Sequence, residues 1–353
     1  MSAQVLFSQS LDKATNLFSE IGFNNIIAQN DLVAVKVHFG ERGNNAYVKP
    51  ARITPIISKI KEIGGRPFLT DANTIYRGSR SDAVVHLQTA FDHGFTYDKV
   101  GAPVIIADGL SGHSFVNVKV NLKHFQEVSI GSIVLEAQAL VVLTHFKGHE
   151  VTGFGGALKN IGMGLGCRSG KQQMHADLRP VVNQENCTGC QDCLNHCPTE
   201  AITMTNDNKA FIDLDKCIGC GECIASCRFQ ALNISWNGSP SSLQEKIVEY
   251  AAGALVHFKN KVVYLTYITD VSPNCDCWDH NEAPIVPDLG VLASLDPVAL
   301  DQACLDLVNR SPEGRIKGNS KFKTLWPDVD HEIQLNYAEE IGLGSRQYKL
   351  VVK

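Results

Sequence analysis

No run in this 353-residue chain approaches the roughly 20 consecutive apolar residues that a membrane span needs. The opening MSAQVLFSQSLDKATNLFSE lacks a basic start and a long apolar core, which argues against a secretory leader. It reads instead as a strand followed by an amphipathic helix. Charge is sparse: Asp, Glu, Lys and Arg make up 20 % of the residues, and the net charge is −5. Without a basic stripe, neither nucleic acid nor an anionic membrane surface is expected as a partner. Nothing signals an oxidising compartment, so the thiols should stay reduced and a cytoplasmic location is expected. Hydrophobic residues reach 44 %, which suits a globular chain long enough for two domains and a small module.

Cysteine is what the chain has in unusual supply. Eight of its 12 cysteines fall into two copies of one spacing, C-x2-C-x2-C-x3-C. The first copy is Cys187, Cys190, Cys193 and Cys197, followed by Pro198. The second is Cys217, Cys220, Cys223 and Cys227, followed by Arg228. Three thiolates two residues apart can wrap one iron–sulfur cube, while the fourth points away and serves the other cube. Cys187, Cys190, Cys193 and Cys227 are therefore assigned to one [4Fe–4S] cluster. Cys217, Cys220, Cys223 and Cys197 are assigned to the second. Gly189, Gly219 and Gly221 suit the cramped backbone around the sulfides. Zinc ribbons use separated Cys pairs, and disulfides need an oxidising compartment, so both fit the run less well.

The remainder alternates strands with helices. Upstream of the cysteines, 32–38 (LVAVKVH), 66–70, 104–107 and 139–144 read as apolar strands, and 53–63 and 81–93 as helices. Downstream, 241–258 reads as a helix and 262–269 as a strand, with a further helix entering at Asp296-Pro297. The expectation is an α/β fold of two lobes with largely parallel sheets, plus an inserted ferredoxin-like α+β module. The boundaries are 1–180 for the N-terminal lobe, 181–236 for the module and 237–353 for the C-terminal segment, packed on the first lobe. Ligands of such sheets bind beyond the carboxyl ends of the strands. His38, Asp71 and His145 stand there.

The stretch HFKGHEVTGFGGALKNIGMGLGCRSGKQQMH follows the strand 139–144 directly. Gly153, Gly155 and Gly156 would let backbone amides approach a phosphate. Lys159 could be a point charge or a nucleophile, and His145, His149 and His175 acid/base groups or metal ligands. Cys275 and Cys277, in NCDCWDH, could ligate a further metal, form a redox dithiol or simply pack. Cys167 could join them, and Cys304 reads as core. Asp71, Asn73, Tyr76, Arg77 and Arg80 cluster after another strand, where arginines could clamp a carboxylate or phosphate.

VKVHFGE, LTDANTIYRGSR, HFKGHEVTGFGGALKNIGMG, the double cysteine run, CDC and DPVALDQA together resemble the family known as domain of unknown function 362. That resemblance spans nearly the whole chain and implies an iron–sulfur cofactor without naming a reaction. A more distant resemblance, up to His175, is to the nickel-pincer lactate racemases. They carry a histidine, a glycine-rich segment with a lysine, and a second histidine in the order of His149, Lys159 and His175. It implies an acid/base role for His149, a nucleotide-derived cofactor anchored on Lys159, and nickel on His175. Tyr76 stands where those enzymes have a catalytic histidine, and the 38–42 segment aligns with their cofactor loop. The racemase family carries no clusters.

Three functions follow as expectations. The first is an oxidoreductase whose clusters serve a site between the α/β lobes. His149, Lys159, Tyr76 and His145 would be its catalytic groups. Gly153, Gly155, Gly156, Lys159, His38 and Arg77 would bind its cofactor. Its partners would be a redox protein and a small carboxylate or phosphorylated substrate. The second is a ferredoxin-like electron relay, or a metal- or cofactor-binding module, without turnover of its own. The third is an isomerase related to the pincer enzymes.

Overall fold

The computed structural model describes residues 3–353 except 77, 176–179, 198, 218–222, 224–225, 228, 230 and 234–239. Cys220 and Arg77, both singled out above, lie outside the described residues, as do Gly219 and Gly221.

Seven strands make the central sheet: β1 (Ala3–Ser8), β2 (Leu32–Lys36), β3 (Arg66–Thr70), β4 (Ala139–His145), β5 (Val262–Ile268), β6 (Gly290–Ser294) and β7 (Tyr348–Val352). Their order is β7-β1-β6-β5-β4-β2-β3. The run β5, β4, β2, β3 is parallel throughout. Strand β7 lies parallel to β1, and β6 is antiparallel to both of its neighbours.

The sheet has apolar residues on both faces. Ala34, Leu140, Val142, Tyr264 and Leu292 pack into one core, and Val35, Val141, Leu143, Leu265 and Val291 into the other. Successive residues point to opposite sides, so a strand covered on both sides must be apolar at every position. This is why 139–144 reads ALVVLT without alternation. Helices α1 (Ala14–Glu20), α2 (Pro50–Glu62) and α3 (Ala83–Asp92) contribute to the second core. In α2, Ile53, Ile56, Ile57 and Ile60 form the helical stripe that makes that contact. Helices α4 (Ala157–Leu165), α6 (Pro240–Val256) and α7 (Pro297–Arg310) cover the first. The Asp296 carboxylate caps α7 by accepting from Val298 N and Ala299 N, both at 2.9 Å, as its place before Pro297 suggested.

Two separate lobes were expected, and one sheet is found. The strands after residue 260 have no sheet of their own: β5 pairs with β4, and β6 and β7 with β1. The segment 104–107 is not a strand either. It touches β3 through a single bridge, Leu69 to Val104.

Between β4 and β5 the chain leaves the sheet for the cysteine-rich segment. There Val181–Val182 pairs with Leu232–Asn233, and Ile202–Met204 with Ala210–Ile212. A separate small core gathers Cys187, Cys193 and Cys223 with Ile202, Ala210, Ile212 and Leu232.

Candidate active site

Strands β2, β3, β4 and β5 end on one edge of the sheet, and the segments that follow them surround a cavity of about 680 Å³. His38, Tyr76, His149, Lys159, His175, Cys275 and Cys277, chosen from three distant parts of the chain, all line it. His145 does not. It lies under the Cys275–Cys277 turn with Nδ1 at 2.9 Å from Asp276 and Nε2 at 2.6 Å from Thr269 O. Both ring nitrogens face oxygen acceptors, so His145 supports the turn rather than meeting a ligand.

The turn is held from below and from the side. Asp276, fully buried, takes His145 Nδ1 at 2.9 Å on Oδ1 and Lys147 Nζ at 3.1 Å on Oδ2. Burial alone would raise its pKa, but the His145 and Lys147 charges and the His145 hydrogen bond hold it well below the usual carboxylate range. The loop after β2 clamps the other side: Glu41 N donates to Asp276 O at 3.1 Å and Asn44 Nδ2 to His280 O at 3.1 Å. Gly148 permits the close approach, since a Cβ there would lie 2.0 Å from Pro273 O.

The two thiols are unequal. Cys275 is buried, and the Lys159 ammonium donates to its Sγ at 3.6 Å. A hydrogen bond from Cys277 and the nearby Lys159 and Lys147 charges hold the Cys275 thiol well below its usual pKa despite burial. Cys277, half-buried and sharing its proton with Cys275, is pushed well above. Both are reduced, and Cys275 is the more acidic of the two. Lys159 is raised in turn: the two cysteines and Glu150 outweigh its burial.

Two histidines of the cavity are fixed by backbone donors. His149 Nδ1 accepts from Val151 N and Thr152 N, each at 3.1 Å, and His38 Nδ1 accepts from Gly40 N at 3.1 Å. Burial, helped by Lys159 near His149 and by Arg80 near His38, holds both well below the usual imidazole pKa. His175 ends α5 (Arg168–His175) and is pushed down to about 3 by burial, Lys159 and Lys246.

A buried charge network forms part of the cavity wall. Lys36, at the carboxyl end of β2, pairs with Asp71 at 3.0 Å and donates to Asn160 Oδ1 at 2.7 Å. Burial lowers the Lys36 ammonium to about 8, with Asp71 working against it. Arg80 bridges Asp71 at 3.4 Å and Glu41 at 3.2 Å, and its Nη2 donates to the Tyr76 hydroxyl at 2.5 Å. Burial outweighs that arginine and raises the Tyr76 phenol well above its normal value, so Tyr76 stays a neutral phenol.

The glycine loop does not cradle a phosphate. The first N–H groups of α4, from Ala157 and Leu158, donate to the two oxygens of buried Asp301 at 2.7 and 2.9 Å. That helix end already holds its carboxylate. Burial raises Asp301 to about 7, opposed by those same two donors. Gly153 and Gly155 belong to a hairpin strand paired with Lys147–His149 and do not line the cavity. Of the three glycines only Gly156 does, and it is there to admit Asp301: a Cβ would sit 2.3 Å from Oδ1. Gly156→Ala is accordingly expected to cost about 1–3 kcal/mol in denaturant unfolding.

Cys167 does not join Cys275 and Cys277. It is buried elsewhere, with Sγ 3.2 Å from Ser169 Oγ. Cys304 is core, as expected. In the cysteine-rich segment, Cys187, Cys190, Cys193 and Cys227 line one small cavity. Backbone N–H groups point at two of the segment's sulfurs, Ala210 N at 3.3 Å from Cys187 Sγ and Ala201 N at 3.2 Å from Cys197 Sγ. Burial and the neighbouring cysteines push the Cys193 thiol up to about 11. Among the described residues, no three His, Cys, Asp or Glu side chains are arranged to hold a metal ion, His175 with Cys275 and Cys277 included.

Lys36, Lys147, Asp276 and Asp301 carry much of this site; in the sequence Asp276 only favoured a polar setting for the two cysteines, and the other three had no role there. Lys36 had a visible signal: a lysine inside an otherwise apolar buried strand needs a partner.

The family described as Domain of unknown function (DUF362) matches residues 33–306. The chain belongs to this family. The match takes in every cavity residue named above and the cysteine run between them. No curated protein matches the chain. Among solved structures, the lactate racemase apoprotein from Thermoanaerobacterium thermosaccharolyticum is similar at 12 % identity and a TM-score of 0.40, over 76 % of this chain and 51 % of that one. A Thermotoga maritima protein from structural genomics is similar at 10 % identity and a TM-score of 0.39, over 94 % of this chain and 58 % of the other. The chain thus spans little more than half the length of either.

Proposed function

We propose that this DUF362 member is an oxidoreductase whose working group is the Cys275–Cys277 pair, served by two [4Fe–4S] clusters on the cysteine run. The observation that carries the reading is the Lys159 ammonium 3.6 Å from Cys275 Sγ in the wall of a large cavity. A buried thiol gains nothing structural from a lysine, whereas a thiolate is stabilised by one and is the nucleophile.

The residues give the pair a two-electron cycle. The Cys275 thiolate attacks one sulfur of a substrate disulfide, and the other substrate sulfur leaves as a thiolate. Cys277 then loses its proton and displaces the attached substrate sulfur, leaving a Cys275–Cys277 bond; the two substrate thiolates take that proton and one from solvent. Two electrons and one proton restore the resting pair of one thiolate and one thiol. Clusters held by Cys187, Cys190, Cys193 and Cys227, and by Cys197, Cys217, Cys220 and Cys223, would supply electrons singly from a redox partner protein. The inward N–H groups at Cys187 and Cys197 suit sulfurs that carry negative charge. Such chemistry belongs in a reducing compartment such as the cytoplasm.

The competing readings use the site less fully. A bare relay has no need of a thiolate–lysine pair inside a cavity. An isomerase needs a group that removes a proton, and with Nδ1 taken by backbone donors the neutral rings of His38 and His149 keep theirs on Nε2.

Alkylation tests the reading. Iodoacetamide should label Cys275 at a rate that levels off at lower pH than an ordinary thiol's, since its pKa is held well below the usual value. An unperturbed thiol gains about tenfold per unit below its pKa of about 8.5. Lys159→Met should slow Cys275 roughly tenfold at pH 7. A Cys275 rate that climbs with pH like an ordinary thiol's would remove the pair from the mechanism.

A further inference from the structure

The cavity has a second chemistry beside its thiols. An imidazole nitrogen that accepts a backbone N–H has its lone pair committed, so a neutral ring carries its proton on the other nitrogen. His149 and His38 both accept at Nδ1, and their Nε2 groups have no partner in the protein among the described residues. Both rings line the cavity.

Lys147 joins them. It lies two residues before His149 on a short strand, so both side chains leave the same face. Its ammonium has three donors. One goes to Asp276 at 3.1 Å and one to His145 O at 3.1 Å, which leaves a third. The ammonium lies within electrostatic reach of both imidazoles, and it lines the same cavity.

We propose that His38, Lys147 and His149 form an oxyanion subsite, three N–H donors that recognise a carboxylate or phosphoryl group on the ligand of this cavity. The two imidazoles act as neutral donors, so neither serves as a base or as a metal ligand through Nε2. The subsite names the handle of the ligand, and it does not depend on turnover of the thiol pair.

Two measurements on the full chain test it. In ¹⁵N-histidine-labelled protein, long-range ¹H–¹⁵N correlations should show the Nε2–H tautomer at His38 and His149; an Nδ1–H form at either overturns the proposal. Calorimetric titration at fixed ionic strength uses sodium acetate as the carboxylate probe and sodium sulfate as the tetrahedral one. Binding of acetate alone assigns a carboxylate, and of sulfate alone a phosphoryl group. Binding of neither overturns the proposal. His149→Phe should weaken the responding anion about tenfold, while His149→Gln, which keeps an N–H near that position, should weaken it less. Equal weakening by both, or by neither, rejects His149 as the donor. Failure here leaves the alkylation result standing, and failure there leaves this one.

Discussion

Asp276→Ala is expected to lower the free energy of unfolding by about 3–5 kcal/mol, because it strands two buried donors at once. The carboxylate is fully buried between His145 and Lys147, and no other carboxylate among the described residues is paired with either. The loss should exceed that of a surface pair such as Arg42–Asp92, whose removal should cost no more than about 1 kcal/mol. Acid should reproduce the effect. The Asp276 pKa is held well below that of the unfolded chain, so its contribution is complete above about pH 4. It fades as the pH falls below that, toward the folded value. Urea unfolding across this range should therefore show stability dropping on acidification in the wild type and a flatter curve in Asp276→Ala. Equal stability of the two proteins at pH 7 would mean that the turn carrying the thiols is not held by this carboxylate.

Chain purified without oxygen is expected to hold about eight irons and eight sulfides. Cys193→Ser should lose about half of them. Cys193 is buried, and its sulfur shares a cavity with those of Cys187, Cys190 and Cys227, so the change should remove one cluster and spare the other. Elemental analysis with electron paramagnetic resonance of the reduced protein reads both counts. Zinc in place of iron, or an iron content unmoved by the substitution, would end the electron-supply half of the proposal. Stripping the metal with a chelator should unfold the cysteine-rich segment first. Beyond Cys187, Cys193 and Cys223, its own small core has just five buried side chains among the described residues, too few to hold it without metal.

How far the sequence went can be judged residue by residue. The unbroken apolar run 139–144 announced a strand covered on both sides, and His38, Asp71 and His145 fell at strand ends because carboxyl-end placement follows from parallel pairing alone. That Cys275 would meet Lys159 was beyond reach. The two are separated by 116 positions, and only the parallel partnership of β4 with β5 sets them side by side. The glycine loop misled for a physical reason. A helix N-terminus attracts any anion, and motif reading cannot tell a ligand phosphate from a carboxylate offered by the chain itself, here Asp301. His38 and His149 were found by type, but the backbone donors that hold their rings were not. Their tautomers are decided by local amides at Gly40, Val151 and Thr152, a detail of turn geometry with no compositional trace.

The antiparallel contact of Val181 with Asn233 brings the two ends of the cysteine-rich excursion together. A detour that starts and finishes at one spot is a cassette: its length costs the host sheet little, because loop entropy grows only slowly with size. The sheet and the cavity can therefore keep one form while the plug-in beside them is enlarged, shortened or exchanged.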